Sequence, residues 1–66
     1  MQTCLEVYIT DKTGKQFFKT LCNSDYVAPE ICNLNRKLNE ARQYPKAYKF
    51  LDIDSAKVEQ QTVIIP

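Results

Sequence analysis

The chain has 66 residues, a formal net charge of +1 at pH 7 and no histidine. At this length a single hydrophobic core is only just large enough for independent stability. We therefore expect one small domain over residues 1–66, which a second copy or a partner would help to complete. A charge so close to zero argues against a protein built mainly to grip duplex DNA, because such proteins carry a strong basic excess.

The cysteines and the N-terminal residues bear on where the chain works. No basic stretch followed by an apolar one opens the sequence, and no apolar run is long enough to cross a bilayer, so we expect a cytoplasmic protein with no membrane partner. Cys4, Cys22 and Cys32 are widely spaced, which fits reduced thiols better than a secreted disulfide framework. Cys4 and Cys22 fall on neighbouring predicted strands, so one disulfide is compatible with the sequence but not required.

A β-hairpin is predicted at the start of the chain. Apolar and polar residues alternate from about residue 4 to residue 10, with the period of a half-buried strand, and a second strand follows over residues 15–22. Between them, residues 11–14 begin with aspartate and end with the only glycine of the chain. This arrangement predicts a type I turn that closes through Gly14 in the left-handed region.

Two registers of this hairpin are compatible with the sequence. A glycine bulge at the turn makes three pairs, Ile9 with Phe17, Val7 with Lys19, and Leu5 with Leu21. A plain two-residue turn instead moves Phe18 to the side of the apolar residues and pairs Glu6 with Lys19. We favour the glycine bulge, because Gly14 stands where the bulge needs it. Either register leaves Tyr8 and one phenylalanine on the sheet face away from the helix.

One long helix is predicted over Val27–Gln43. Its apolar stripe recurs at steps of four, three, four and three, through Val27, Ile31, Leu34, Leu38 and Ala41. Ser24 or Asp25 is a natural N-cap. The helix begins either near Asp25 or nearer residue 28, with Pro29 at its first position. Pro45 ends it, since proline cannot continue a helix.

After the helix we predict a third strand over residues 47–53, a turn, and a last strand over Val58–Ile65. The order is strand, strand, helix, strand, strand. It predicts an α+β fold in which one helix packs on a largely antiparallel sheet of three to four strands. The predicted core consists of Leu5, Val7, Ile9, Ile31, Leu34, Leu38, Leu51 and Val63.

The hairpin around Thr13-Gly14-Lys15 and the helix after it resemble the beginning of a ubiquitin-like domain. A β-grasp-like fold is therefore the alternative architecture. The resemblance covers the order of hairpin and helix and little else, and the chain has no diglycine tail. No function is inferred from it.

The residues that most enzymes need are missing from the sequence. There is no histidine to act as a general base or to activate a cysteine, and one glycine cannot build a phosphate-binding loop. Asp52, Asp54 and Glu59 resemble part of a calcium loop, but the glycine that such a loop needs is absent. We expect no enzymatic activity, no cofactor and no metal site.

Two features predict a binding function. Basic and aromatic residues interleave between positions 42 and 50, as they do in proteins that bind single-stranded nucleic acid. The open face of the sheet and the nearly uncharged last strand instead favour a protein partner or a second copy of the chain. The predicted binding surface consists of Tyr8, Phe18, Arg42, Lys46, Tyr48 and Lys49.

We expect a small cytoplasmic module that binds a protein and acts as a regulator or inhibitor by occlusion. Enzyme inhibitors and phage-encoded modulators are often of this size and class. Two alternatives remain at this point. One is binding of single-stranded nucleic acid through residues 42–50, and the other is a homodimeric structural protein that pairs through the edge of its C-terminal strand.

Overall fold

A computed structural model describes residues 2–66. Three strands form one antiparallel sheet in the order β2-β1-β3, and a single helix packs on one of its faces. The predicted α+β class is therefore confirmed. The elements are β1 (Gln2–Thr10), β2 (Gln16–Cys22), α1 (Val27–Gln43) and β3 (Lys57–Ile65), with short 3-10 helices at Ser24–Tyr26 and Pro45–Tyr48.

The hairpin turn has the predicted form. The N–H of Gly14 donates to the carbonyl of Asp11 at 3.0 Å, and Gly14 has a φ of 83°. This left-handed conformation costs a glycine little, because there is no Cβ to clash with the backbone. The glycine at the fourth position thus turns the chain into β2.

Further along the hairpin, a β-bulge changes the register. Ile9 is opposite Phe17, as predicted from the glycine turn, but two residues of β2, Phe18 and Lys19, then stand against Tyr8 alone. The extra residue shifts the later pairs by one. The observed partners are Val7 with Thr20, Glu6 with Leu21, and Leu5 with Cys22.

The helix occupies the predicted residues, Val27–Gln43. Its start differs from both predicted N-caps. Asn23 accepts a hydrogen bond from the N–H of Asp25 at 3.2 Å and so caps a turn of 3-10 helix that leads into α1. Pro29 is the third helical residue, where its missing N–H costs nothing because the first four N–H groups of a helix have no internal partner. The helix ends as predicted before Pro45.

The predicted third strand over residues 47–53 is wrong, and residues 2–66 contain three strands and not four. The chain after Pro45 instead makes successive short turns. The N–H groups of these turns donate to the carbonyl three residues earlier at 3.0–3.3 Å, and the donors are Ala47, Leu51, Ser55 and Ala56. Proline at the first turn favours this path, since its fixed φ suits a 3-10 helix. The last strand, β3, confirms the prediction.

The core lies between α1 and one face of the sheet. Val7, Ile9, Leu34, Leu38 and Leu51 are buried as predicted, together with Ala41 and Ala56. Ile31 packs against this core and Leu5 is half-buried. Val63 was predicted in the core, but this is wrong: Val63 is opposite Cys4, on the face that α1 does not cover.

The strand directions also decide against the β-grasp alternative. In a β-grasp domain the first and last strands lie side by side and run parallel. Here β1 and β3 lie side by side over their whole length and run antiparallel. The similarity to ubiquitin-like domains therefore ends with the hairpin and the helix.

A polar cluster joins the hairpin turn to the loop that precedes β3. The Asp11 carboxylate accepts hydrogen bonds from the N–H of Thr13 at 2.9 Å, from the Thr13 hydroxyl, and from the N–H of Asp52 at 3.2 Å. The N–H of Lys12 donates to Ser55 Oγ at 3.0 Å, and its Nζ lies 3.3 Å from the Asp52 carboxylate. These bonds hold the end of the loop against the sheet.

Within residues 2–66, no helix combines the length and the apolar character that a membrane span requires.

Candidate functional site

Four aromatic rings gather where β2, α1 and the 45–50 segment meet. The Phe17 and Phe50 ring centroids are 5.5 Å apart, those of Phe18 and Phe50 are 6.1 Å apart, and those of Tyr48 and Phe50 are 6.0 Å apart. Phe18 and Tyr48 meet edge to face at 6.5 Å. Such tilted contacts are the favourable geometry for aromatic pairs. We call Phe17, Phe18, Tyr48 and Phe50 the aromatic patch.

The β-bulge brings two consecutive phenylalanines into this patch. Neighbouring residues of a regular strand point to opposite faces, so one of the two rings would otherwise leave the helix side. Phe18 has a φ of 57°, which is in the left-handed region, and both rings pack against the core on the helix side. The prediction that one phenylalanine lies on the outer face is therefore wrong.

The helix contributes one charge of each sign to the patch. Lys37 Nζ lies 4.7 Å from the centroid of the Phe18 ring, within the range of a cation–π contact. The Tyr48 hydroxyl donates to Glu40 Oε2 at 3.0 Å. This hydrogen bond, with burial and the negative charge of Glu40, raises the pKa of Tyr48 above its ordinary value. The 45–50 segment is thereby tied to α1.

The patch is open to solvent at Phe50. This side chain is 56% exposed, whereas Phe17, Phe18 and Tyr48 are half-buried. Lys49, which stands between Tyr48 and Phe50 in the chain, is also exposed. The patch is a surface and not a cleft, and residues 2–66 form no detectable pocket.

The structure brings together only some of the predicted binding residues. Phe18 and Tyr48 meet in the patch, and Lys46 and Lys49 are exposed in the segment that carries Tyr48. Tyr8 is elsewhere: it is on the outer face of the central strand and only 6% exposed, so it does not form a surface with the others.

Arg42 also lies apart from the patch. Five helical steps of about 100° place it roughly 140° around α1 from Lys37. Its Nη1 donates to Asn39 Oδ1 at 3.2 Å on the exposed side of the helix. Of the six predicted residues, Phe18 and Tyr48 therefore lie in the patch, whereas Tyr8 and Arg42 lie apart from it.

Four residues of the site were missing from the predicted surface: Phe17, Lys37, Glu40 and Phe50. Phe17 and Phe50 carried a signal, since each is next to or near a predicted site residue in the sequence. Placing them requires the bulge and the turns after Pro45, neither of which has a clear sequence signature. Lys37 lies at the flank of the apolar stripe, one helical turn before Glu40, but its aromatic neighbour is distant in sequence.

The cysteines and carboxylates do not assemble into a further site. All three cysteines are free. Cys22 is opposite Leu5 and packs towards the helix, whereas Cys4 belongs to the other face, so the disulfide considered from the sequence does not fit the register. No group of three Cys, Asp or Glu side chains capable of holding a metal occurs within the described residues.

Comparisons with protein-family models, with curated proteins and with solved structures give no match to this chain.

Proposed function

We propose that the chain is a small cytoplasmic protein-binding module, without catalytic activity, which docks a partner on the aromatic patch and acts by occluding the partner's surface. The observation that carries the proposal is the left-handed backbone of Phe18. A non-glycine residue in this conformation costs about 1–2 kcal/mol. Such strain is concentrated at functional sites, and here it has one evident effect, which is to gather a second phenylalanine into a partly exposed cluster.

The patch has the composition of an interface centre. Aromatic side chains dominate the binding energy of protein interfaces, and they act from well-packed positions near the middle. Phe50 is the anchor, because its ring is exposed while three others support it from below. A partner that offers an apolar pocket would cover this ring and exclude water from the cluster.

The charges around the patch indicate the rim of the partner's pocket. Lys37 lies over Phe18, and Lys46 and Lys49 flank Tyr48 in the chain. Glu40, which accepts the hydrogen bond from the Tyr48 hydroxyl, is one carboxylate against these three lysines. We therefore propose a partner whose apolar pocket has an acidic rim, since complementary charges orient the encounter and raise the association rate.

The test compares two exposed aromatic residues. Phe50→Ala removes the anchor, and Tyr26→Ala is the matched control, because Tyr26 is 60% exposed and makes no ring contact with the patch. Each variant of the full chain is immobilised and exposed to lysate of the cell that encodes it, and the retained proteins are quantified. Thermal unfolding confirms that both variants fold.

We expect at least one protein that the wild type and the Tyr26 variant retain equally and that the Phe50 variant retains at least tenfold less. A tenfold loss corresponds to about 1.4 kcal/mol of binding free energy, less than the usual cost of truncating an interface anchor. If the two variants retain the same proteins in the same amounts, the patch is not the binding site.

Single-stranded nucleic acid is the second candidate, and the position of Lys37 over an aromatic ring favours it. Its weakness is that the four rings pack against one another, which leaves Phe50 as the one largely exposed ring for stacking. Fluorescence titration of labelled oligonucleotides at low salt distinguishes the two ligands. Binding that weakens steeply with salt and with Lys46→Glu plus Lys49→Glu would establish nucleic acid as the ligand.

A further inference from the structure

The two edges of the sheet differ in how they are protected from pairing with another strand. The edge strand β2 contains a β-bulge at Phe18, and two exposed lysines protect it, Lys19 within the strand and Lys15 directly before it. A bulge and lysines are the devices by which natural sheets keep an edge from pairing. This edge is therefore guarded.

The opposite edge, β3, has no bulge, and its one lysine, Lys57, is its first residue. All nine of its residues pair with β1 in an unbroken register, so no bulge interrupts the spacing of its outer backbone groups. It contains no proline, and its only charged residues, Lys57 and Glu59, form an ion pair with each other at 3.0 Å. Residues 60–65 are uncharged, and Ile64 is 63% exposed. This is a long, unprotected edge of the kind that accepts another strand.

The charge of the chain does not oppose self-association either. A net charge of +1 leaves little long-range repulsion between copies, whereas a charge far from zero keeps small domains apart. The occupant of the edge can therefore be a second copy, provided that the strand is complementary to itself.

We infer that β3 pairs with β3 of a second copy, antiparallel and centred on Gln61, to form a dimer with a continuous six-stranded sheet. Gln61 is the midpoint of Lys57–Ile65, so this register uses the whole strand. A two-fold axis perpendicular to the sheet keeps each residue on its own face, and directly opposite residues must share a face. Both the two-fold axis and the shared face of opposite residues require a register that is centred on a residue and not between two residues. Among these registers, the one centred on Gln61 pairs the largest number of residues.

The side chains match in this register. On the face that carries the helices, Val58 is opposite Ile64 of the second copy, and Gln60 is opposite Thr62. The exposed Ile64 is thus covered by an apolar neighbour, and the polar residues meet each other. On the other face Gln61 meets its own copy, and an amide is both a donor and an acceptor. No two like charges stand opposite each other, which would be destabilising.

The dimer would also place two aromatic patches on one surface. The sheet order becomes β2-β1-β3-β3-β1-β2, with both helices on the same face and a patch near each outer strand. Five strand spacings of about 4.8 Å separate the outer strands by roughly 24 Å. This consequence for binding rests on the proposed function, whereas the dimer itself does not.

The test uses the direct opposition of residues 60 and 62, whose side chains are exposed. The double change Gln60→Lys and Thr62→Lys puts like charges opposite each other at two symmetric places. The double change Gln60→Glu and Thr62→Lys puts opposite charges at the same places. Thr20→Lys, an exposed position on the guarded edge strand, is the control. The mass of each full chain is measured by sedimentation equilibrium over a range of concentrations.

We expect the wild type, the Thr20 variant and the glutamate–lysine variant to form dimers. For the lysine–lysine variant we expect the dissociation constant of the dimer to be at least tenfold higher, so that the chain is monomeric at concentrations at which the wild type is dimeric. A wild type that stays monomeric at every accessible concentration overturns the inference. So do assemblies larger than a dimer. Equal dissociation constants for the two double variants would place the interface elsewhere. Because none of these changes touches the aromatic patch, loss of the dimer and failure of partner binding can be told apart.

Discussion

The hydroxyl of Tyr48 donates a hydrogen bond of 3.0 Å to the carboxylate of Glu40. This bond joins the irregular segment after Pro45 to the helix, and it fixes one ring of the aromatic patch while Phe50, two residues later, remains exposed. It also gives the patch a titratable contact, because a phenolate could not donate to a carboxylate and would be repelled by it.

The first prediction concerns alkaline pH. The hydrogen bond from Tyr48 to Glu40 raises the pKa of Tyr48 above 10.0 in the folded chain. The contact therefore contributes fully to stability below the pKa of unfolded tyrosine, and its contribution is lost as pH rises through the raised pKa. Glu40→Gln should bring the pKa of Tyr48 down, as measured by the phenolate absorbance of the variant against the wild type.

Tyr48→Phe is the control for this titration, because it removes one of four tyrosines and keeps the ring. The difference between wild-type and Tyr48→Phe absorbance curves isolates the phenol in question. The same difference is measured in the Glu40→Gln background, with and without Tyr48→Phe. If its midpoint pH equals that of the wild type, the carboxylate does not act on Tyr48.

The second prediction concerns the strained backbone of Phe18. Phe18→Ala should destabilise the fold by about 2–3 kcal/mol, because a half-buried ring is lost. Phe18→Gly loses the same ring but also relieves the left-handed strain, so it should cost about 1 kcal/mol less than alanine. In an ordinary strand glycine is the worse of the two residues, so this reversed order is specific to the φ of 57°. Urea unfolding of both variants measures it.

Phe17 provides the comparison for this order. It precedes Phe18 in β2, is also half-buried and has no positive φ. Phe17→Gly should therefore be less stable than Phe17→Ala. The same order at both positions would mean that the backbone at Phe18 is not strained in solution.

The elements that carry strong local signals could be predicted from the sequence. The apolar stripe from Val27 to Ala41 and Pro45 after it determine the helix, and the alternation around Val7 and Ile9 determines the central strand. Gly14 determines the turn. In each case the information lies within a few residues, so that periodicity or one special residue suffices.

The candidate site could be predicted only in part, because its geometry depends on contacts between distant residues. The bulge at Phe18 has no glycine to announce it, and it decides which face both rings take. The aromatic character of Tyr48 and Phe50 favours a strand over residues 47–53. Tertiary contacts with Phe17, Phe18 and Glu40 instead favour the turns after Pro45. β-propensity is mostly a measure of fit to a pleated surface, and it yields to such contacts.

The third prediction concerns the hairpin turn. Gly14→Ala should cost about 1 kcal/mol of folding free energy, because alanine is unfavourable at a φ of 83°. Beyond the two neighbouring residues, no atom lies within 4 Å of the position that the new Cβ would occupy, so the cost is conformational. Gly14→Asn should cost less, since asparagine tolerates the left-handed region. Equal losses for the two variants in thermal unfolding would indicate that side-chain contacts, and not the backbone, decide the effect.

The last prediction concerns acid. The hydrogen bond from the Thr13 hydroxyl, opposed by burial and helped by the backbone N–H groups of Asp52 and Thr13, holds the pKa of Asp11 below its usual 3.8. A carboxyl with a lowered pKa stabilises the fold above its unfolded pKa, and this contribution is lost as pH falls through the folded pKa. The urea midpoint of the wild type should therefore fall as the solution is acidified below about pH 4.

Asp11→Asn should lower the urea midpoint at neutral pH. In this variant the midpoint should also change less than in the wild type as the solution is acidified. The amide keeps one oxygen for Thr13, but it turns an N–H₂ group towards the N–H of Asp52, where an acceptor is needed. Asp54→Asn is the control, because Asp54 is an exposed carboxylate in the loop before β3 that Asp11 contacts through Asp52. Since the Asp11 bonds connect residues 41 positions apart, their loss should also free the loop before β3. Faster amide exchange at Asp52 in the Asp11 variant alone would demonstrate this connection, and unchanged exchange would contradict it.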